Sequence, residues 1–376
     1  MRPRFEVAQV LEQLGHQVNQ LGLNGWQLRT LSAIESCRTA ALGGHIDACS
    51  DCGIILLSYN SCRNRHCPKC QGHKREAWIQ ARRQDLLPVP YFHVVFTLPE
   101  QLNTLAMHQP RLVYNTLFGA AWQTLAGFGK QQGLQLGMVS ILHTWGQNLS
   151  LHPHLHCVVP GGGVRKDGSW QPIRADGKFL YHVKALSKMF RAKYVAGLRA
   201  AGIADQPLFD ALFSKPWVVY AKRPFGGPSQ VVEYLGRYSH KIAISNHRLQ
   251  QVGEGKVRFG YKDYRRQGRK RIMELTQLEF VRRFAQHILP KGFVRIRHYG
   301  FLSSTSKGRS LPELRYHLGV STPTDTVVKS MHRCCPCCKK GILITIESFD
   351  LRGPPALSSS IGCFLNLKSQ IVKPIG

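Results

Sequence analysis

The stretch LSLHPHLHCVVPGGG, residues 149–163, decides how the chain is read. His152, His154 and His156 recur at every second position, and the segment then runs through apolar residues into three glycines. Side chains two apart on a strand share a face, so His154 and His156 project together while Leu155 points into a core. Two imidazoles on one side can hold an ion between them. His152 shares that face, but Pro153 perturbs the ladder beside it. Residues 137–145 read as a strand too, joined to one over 150–160 by a short turn containing Gly146 and Asn148. Folding back at that turn lays His143 roughly opposite 152–154. A third ligand is therefore His143 or His152, and His143 is the better placed. Two or three ligands leave coordination positions open, as an ion engaging a phosphate oxygen requires. Alone, the pattern fits a half-exposed strand of hydrogen-bonded histidines equally well.

A second signal lies downstream in VVEYLGRYSHKIAISNHRL, residues 231–249. Tyr234 and Tyr238 are four apart, so on a helix both rings occupy one face. Arg237, His240, Lys241 and Arg248 crowd the same neighbourhood with charge. A tyrosine hydroxyl titrates near pH ~10, so only about one in a thousand is ionised at neutral pH. Acting as a nucleophile requires a metal, a base or nearby cations, all of which have candidates here. An aromatic pair packing a helix onto a sheet gives the same spacing.

Cys49-Ser-Asp-Cys52 and Cys67-Pro-Lys-Cys70 are CxxC pairs separated by fourteen residues, the arrangement of two knuckles of a zinc ribbon. Four thiolates from Cys49, Cys52, Cys67 and Cys70 make a closed shell, so this zinc is structural. Such binding contributes on the order of 10 kcal/mol to folding in small zinc modules. Cys37, Cys62, His45 and His66 are spare ligands. Arg63, Arg65 and Lys69 surround the second knuckle with positive charge suited to nucleic acid. At the far end CCPCC (334–338) holds half a knuckle, Cys335-xx-Cys338, with no second pair downstream, and Cys363 stands alone.

The 376 residues suffice for two or three domains. Lys and Arg number 51 against 21 Asp and Glu, a formal charge of +30, which makes a polyanion the first partner to consider. There is no apolar run long enough to span a bilayer and no signal-peptide pattern, so the expected location is the cytoplasm. Of the twelve cysteines, the six grouped between residues 37 and 70 read in that compartment as metal ligands, not disulfides. Helical periodicity marks residues 1–36, and HKREAWIQARRQDLLP (73–88) reads as a basic helix stopped by proline. A strand over 91–99, helices over 100–131 and 184–201, a strand over 216–221 and a short helix over 230–240 follow. Thr276 and Glu279 have capping-box spacing for a helix over 275–289, and 293–301 alternates like a strand. The expected division is 1–88 helical and zinc-ribbon, 89–302 catalytic, and 303–376 a linker with a loosely structured tail.

Together, the histidine–hydrophobic–histidine strand, the downstream Tyr-xxx-Tyr, the zinc ribbon and the charge resemble the HUH endonuclease superfamily. The nearest likeness is to the rolling-circle transposases of the IS ninety-one group of bacterial insertion sequences. The matching segments are NSCRNRHCPKCQ, LHTWGQNLSLHPHLHCVVPGGG and EYLGRYSHKIAISNHR, and the resemblance covers roughly residues 20–302. It implies an α+β catalytic domain, an HUH-type antiparallel sheet with packed helices, the tyrosine helix lying over the metal. It implies that His154 and His156, with His143 or His152, hold Mg2+ or Mn2+ against the scissile phosphate of single-stranded DNA. Tyr234 or Tyr238 then attacks phosphorus to form a 5′-phosphotyrosine link, with Tyr234 favoured as primary. Element ends and target DNA are the implied partners, and the bacterial nucleoid the implied place of work. Two other readings share parts of the pattern. One is a zinc-ribbon nucleic-acid-binding regulator without chemistry. The other is a metallohydrolase, which commonly carries Asp-His after its His-x-His where this chain has Cys157-Val158-Val159.

Overall fold

The computed structural model describes residues 3–70, 79, 82–174, 180–221, 225, 230–231, 233–234, 236, 241–320, 333–351 and 373–375. Its helices are α1 (Val7–Leu14), α2 (Gly25–Glu35), α3 (Asn103–His108), α4 (Pro110–Gln131), α5 (Val183–Ala200), α6 (Gln206–Phe213), α7 (Gln277–Ala285) and α8 (Lys307–His317). The strands are β1 (Gly44–Cys49), β2 (Ile55–Tyr59), β3 (Tyr91–Thr97), β4 (Gly137–Trp145), β5 (Leu151–Pro160), β6 (Gly162–Val164), β7 (Trp170–Pro172) and β8 (Val219–Ala221). They continue as β9 (Leu249–Gly253), β10 (Lys256–Asp263), β11 (Arg269–Thr276), β12 (Ile296–Gly300), β13 (Leu343–Phe349) and β14 (Lys373–Ile375). The α+β class expected from the sequence is the class observed.

The sheet that carries the histidines has the order β12-β4-β5-β3-β8, antiparallel throughout. Its register sets His143 opposite His154, Ile141 opposite His156, and Val95 of β3 on the other side of His156. Residues opposite one another share a face, so the sheet separates two environments. On one face Phe92, Val94, Phe96, Leu142, Leu155 and Cys157 are buried among Leu117 and Phe118 of α4 and Phe190 and Tyr194 of α5. Burying large aromatic and aliphatic groups there fixes the strands and leaves the histidine face free to be polar. At one end the histidine face is apolar, where Val139, Ile141 and Val158 meet Phe301 and Leu311 and Leu314 of α8.

The amino-terminal helices pack elsewhere. Val7, Leu11, Leu31 and Ile34 share a core with Phe259 of β10 and with Phe280, Val281 and Phe284 of α7. That core joins the segment before residue 88 to the segment around 250–288. The three-stranded sheet β11-β10-β9 that contributes to it has no counterpart in the sequence reading. At α7 half of the expected capping box forms. Thr276 Oγ1 accepts from the Glu279 N–H at 3.2 Å, whereas the Glu279 carboxylate pairs with Arg282 and Arg283 at 2.5 and 2.7 Å.

The tail departs from expectation. Residues 307–317 form α8, and β13 pairs antiparallel with β1 in a sheet of order β13-β1-β2-β14. Residues 307–317 and 343–349 are therefore built into the fold, not loose. Its partner strand lies three hundred residues earlier in the chain, which local patterning does not reveal. Half of the expected basic helix over 73–88 and part of the 230–240 helix lie outside the described residues.

Candidate metal centre and tyrosine site

The β4–β5 hairpin places one ring nitrogen each of His143, His154 and His156 within 4.8 Å of one another. His143 is buried against Trp145, their rings 4.5 Å apart, and its centroid lies 4.6 Å from that of His156. His152, the other third-ligand candidate, is exposed at the strand end and stands outside this group. It contributes instead through its carbonyl, which accepts from Nδ1–H of His154 at 2.7 Å. That bond fixes the tautomer and leaves Nε2 of His154 as the available lone pair. Burial brings His154 down to about 4, and burial followed by the nearness of His143 and His154 holds His156 well below its ordinary value. Both rings are thus neutral at neutral pH, the form in which imidazole binds a metal.

Tyr234 meets this group from the helix side. Its hydroxyl lies 3.2 Å from Nδ1 of His156 and in closer contact with Nε2 of His93. His93 Nε2 is itself 3.0 Å from His156 Nδ1, with the two rings stacked at 5.2 Å. Phe225 flanks the phenol ring at 5.0 Å. Sequence patterning alone does not single out His93. A histidine inside the otherwise apolar YFHVVFT strand is the available signal, but its place depends on the register that sets Val95 beside His156. Tyr238 and Arg237 lie outside the described residues.

The cysteines sort differently from the expected ribbon. Cys67 and Cys70 group with Cys37 and Cys62, while Cys49 and Cys52 group with Cys335 and Cys338, each set within 4.8 Å. One four-sulfur shell of Cys49, Cys52, Cys67 and Cys70 is therefore corrected to two separate sets. The cause is the β1–β2 hairpin, which carries the 49–52 turn away from the 62–70 loop and toward the segment before β13. In the first set Cys70 Sγ is 3.4 Å from Cys37 Sγ and 3.6 Å from Cys62 Sγ. The backbone N–H groups of Cys52 and Asp51 hold the Cys49 thiol down to about 6. Of the spare histidines, His45 contacts Asp47 and Arg333, and His66 is buried beside Arg65.

Residues 9–98 match the family described as "Transposase zinc-binding domain", and residues 137–309 match the family described as "Putative transposase". The chain is 42% identical to "Putative transposase y4qJ" of Sinorhizobium fredii over 93% of its own length and 97% of that protein. It is 30% identical to "Transposase for insertion sequence element IS801" of Pseudomonas savastanoi pv. phaseolicola, covering 83% of this chain and 78% of that one. This chain is a transposase of the IS ninety-one group. No solved structure matches it.

Several cations expected to face DNA are engaged within the transposase. Arg65 donates to the carbonyls of Phe293 and Pro290 at 2.5 and 3.1 Å, tying the cysteine loop to the segment before β12. Lys69 donates to the Cys37 carbonyl at 3.0 Å and pairs with Glu6 at 2.7 Å. Arg248 donates to the carbonyls of Gly260 and Gln147, and burial lowers it to about 10. A CxxC loop or a tyrosine helix rich in Arg does not distinguish a clamp from a DNA contact, because both want a long fork of donors. Arg63 and Lys241 remain exposed. More cationic surface comes from the β10–β11 hairpin, where Arg266, Arg269 and Lys270 are exposed around the turn. Among the described residues no helix is long and apolar enough to cross a membrane.

Proposed function

We propose that the transposase cuts and rejoins single-stranded DNA at the ends of its insertion sequence through Tyr234, in rolling-circle transposition of the HUH type. The observation that carries this reading is the Tyr234 hydroxyl, 3.2 Å from Nδ1 of a histidine that also belongs to the three-histidine group. His143, His154 and His156 would hold a divalent ion, Mg2+ or Mn2+, whose chemistry is to polarise the phosphoryl oxygen and neutralise developing charge. The three converging imidazoles, those of His154 and His156 held neutral by burial, fit such an ion. Nitrogen donors suit Mn2+ better than the harder Mg2+.

The protein's own groups supply the rest. Tyr234 oxygen bonds to phosphorus as the bond from phosphorus to the 3′-oxygen breaks. The phenolic proton passes to Nε2 of His93, and the departing 3′-oxygen takes up a proton to become a free hydroxyl. A phosphotyrosine ester conserves the energy of the broken linkage, so rejoining by a 3′-hydroxyl requires no nucleotide cofactor. Tyr238 is assigned to the second strand on the strength of the family resemblance. Arg63, Lys241 and the β10–β11 hairpin are suited to phosphate contacts, and Arg237 is assigned to them from the sequence. The two cysteine sets are assigned structural Zn2+, and the site of action is the bacterial nucleoid in the cytoplasm.

The test is incubation with single-stranded DNA carrying an element end and Mn2+, followed by denaturing electrophoresis. A covalent protein–DNA adduct is expected. Folded protein that binds this DNA and forms no adduct would favour the zinc-dependent regulator without chemistry.

A further inference from the structure

Cys335 and Cys338 have no downstream partners in the sequence, yet they complete a four-sulfur set with Cys49 and Cys52. The Sγ atoms of Cys49 and Cys338 are 3.7 Å apart, as are those of Cys52 and Cys335. Zinc–sulfur bonds of about 2.3 Å in a tetrahedron put sulfurs roughly 3.8 Å apart. A disulfide would need about 2.05 Å.

Both turns are built as knuckles. The N–H groups of Asp51 and Cys52 point at Cys49 Sγ at 3.4 and 3.5 Å. On the other side the N–H of Cys337 points at Cys335 Sγ at 3.4 Å, and that of Gly341 at Cys338 Sγ at 3.3 Å. Each second cysteine is followed by a residue in the left-handed region, Gly53 (φ 66) and Lys339 (φ 59). Gly341 sits so close that a Cβ there would lie 2.4 Å from Cys49 Sγ, so the approach of the two turns requires glycine.

The surroundings are fitted to this join. The Ser50 N–H donates to the Ile342 carbonyl at 2.9 Å, and β13 runs on from there beside β1. Buried Asp47 accepts from Arg333 at 2.6 Å and from the Thr345 hydroxyl at 2.7 Å. The matched zinc-binding family spans residues 9–98, so Cys335 and Cys338 lie outside it.

We infer that the transposase holds two structural zinc ions, and that the second, bound by Cys49, Cys52, Cys335 and Cys338, latches the C-terminal segment onto the amino-terminal β1–β2 hairpin. The closed thiolate shell gives this ion no open position for substrate. Its role is to join segments nearly three hundred residues apart.

Elemental analysis of the purified full-length protein tests the inference. Two zinc ions per chain are expected, falling to one in Cys335→Ser/Cys338→Ser and to one in Cys37→Ser/Cys62→Ser. One zinc in the unaltered protein, or two retained in Cys335→Ser/Cys338→Ser, overturns it. Thiol alkylation mapped by mass spectrometry gives an answer on the unaltered protein. Cys52 is exposed and Cys338 half-buried, so burial alone would not shield them. They should resist alkylation until zinc is chelated, while exposed Cys334 and Cys337 react at once. Equal reactivity of Cys52, Cys338, Cys334 and Cys337 in the zinc-loaded protein contradicts the site.

Discussion

At the scale of single residues, Tyr234 and His93 form the point where sheet and helix exchange a proton in the proposed reaction. His93 touches the Tyr234 hydroxyl directly and His156 at 3.0 Å, so it is both proton acceptor and support for a proposed ligand. A positioned base contributes about a hundredfold or more to rate. His93→Gln is therefore expected to slow single-turnover cleavage by about 10²-fold while leaving DNA affinity unchanged. An equal loss in affinity would assign His93 a role in binding instead. The histidines also set a pH dependence. Burial pushes His154 and His287 each down to about 4, below the ordinary histidine value. The unfolded chain then takes up protons first as pH falls from about 6.5, so stability is lost toward acid and is flat above about 7. Melting temperature measured from pH 7.5 down to 5.5 should fall, and a rise would reverse the assignment of these rings as buried and neutral. His143, His154 and His156 were legible in sequence because alternation and one turn place them. His93 was not, since it enters only through the pairing of β3 with β5.

Among elements, the β4–β5 hairpin is the clearest case of sequence specifying structure. Expected strands over 137–145 and 150–160 correspond to Gly137–Trp145 and Leu151–Pro160, because apolar alternation and the turn around Gly146 act together. The β10–β11 hairpin is not legible in the sequence despite Val257, Phe259 and Tyr261 alternating with Lys256, Arg258 and Lys262. Its charge reads as loop when burial is sought on both sides, and its apolar face is supplied only when α1, α2 and α7 arrive. A two-stranded ribbon bearing exposed Arg266, Arg269 and Lys270 is suited to following a phosphate backbone. Changing all three to Ala should weaken DNA binding and reduce the slope of log affinity against log salt by up to about 2 for single strands. An unchanged slope would remove this hairpin from the interface.

For the whole molecule, the charge of +30 and the long-range joins matter most. Affinity for DNA should drop steeply between low and physiological salt, because each neutralised phosphate releases counterions. Titration by fluorescence anisotropy checks this, and a flat response would contradict the electrostatic basis of binding. The CxxC motifs announced metal, but not how the cysteines divide, since Cys52 and Cys335 are 283 positions apart. Local spacing favoured joining the nearest pairs, whereas the β13–β1 pairing decides the outcome. The catalytic proposal has its own decisive measurement. Full-length protein is incubated with Mn2+ and single-stranded DNA bearing an element end, and the attachment residue is mapped by peptide mass spectrometry. The proposal predicts DNA linked through phosphotyrosine at Tyr234 and loss of that first adduct in Tyr234→Phe. Full adduct formation by Tyr234→Phe, with the DNA attached at another residue, would contradict it.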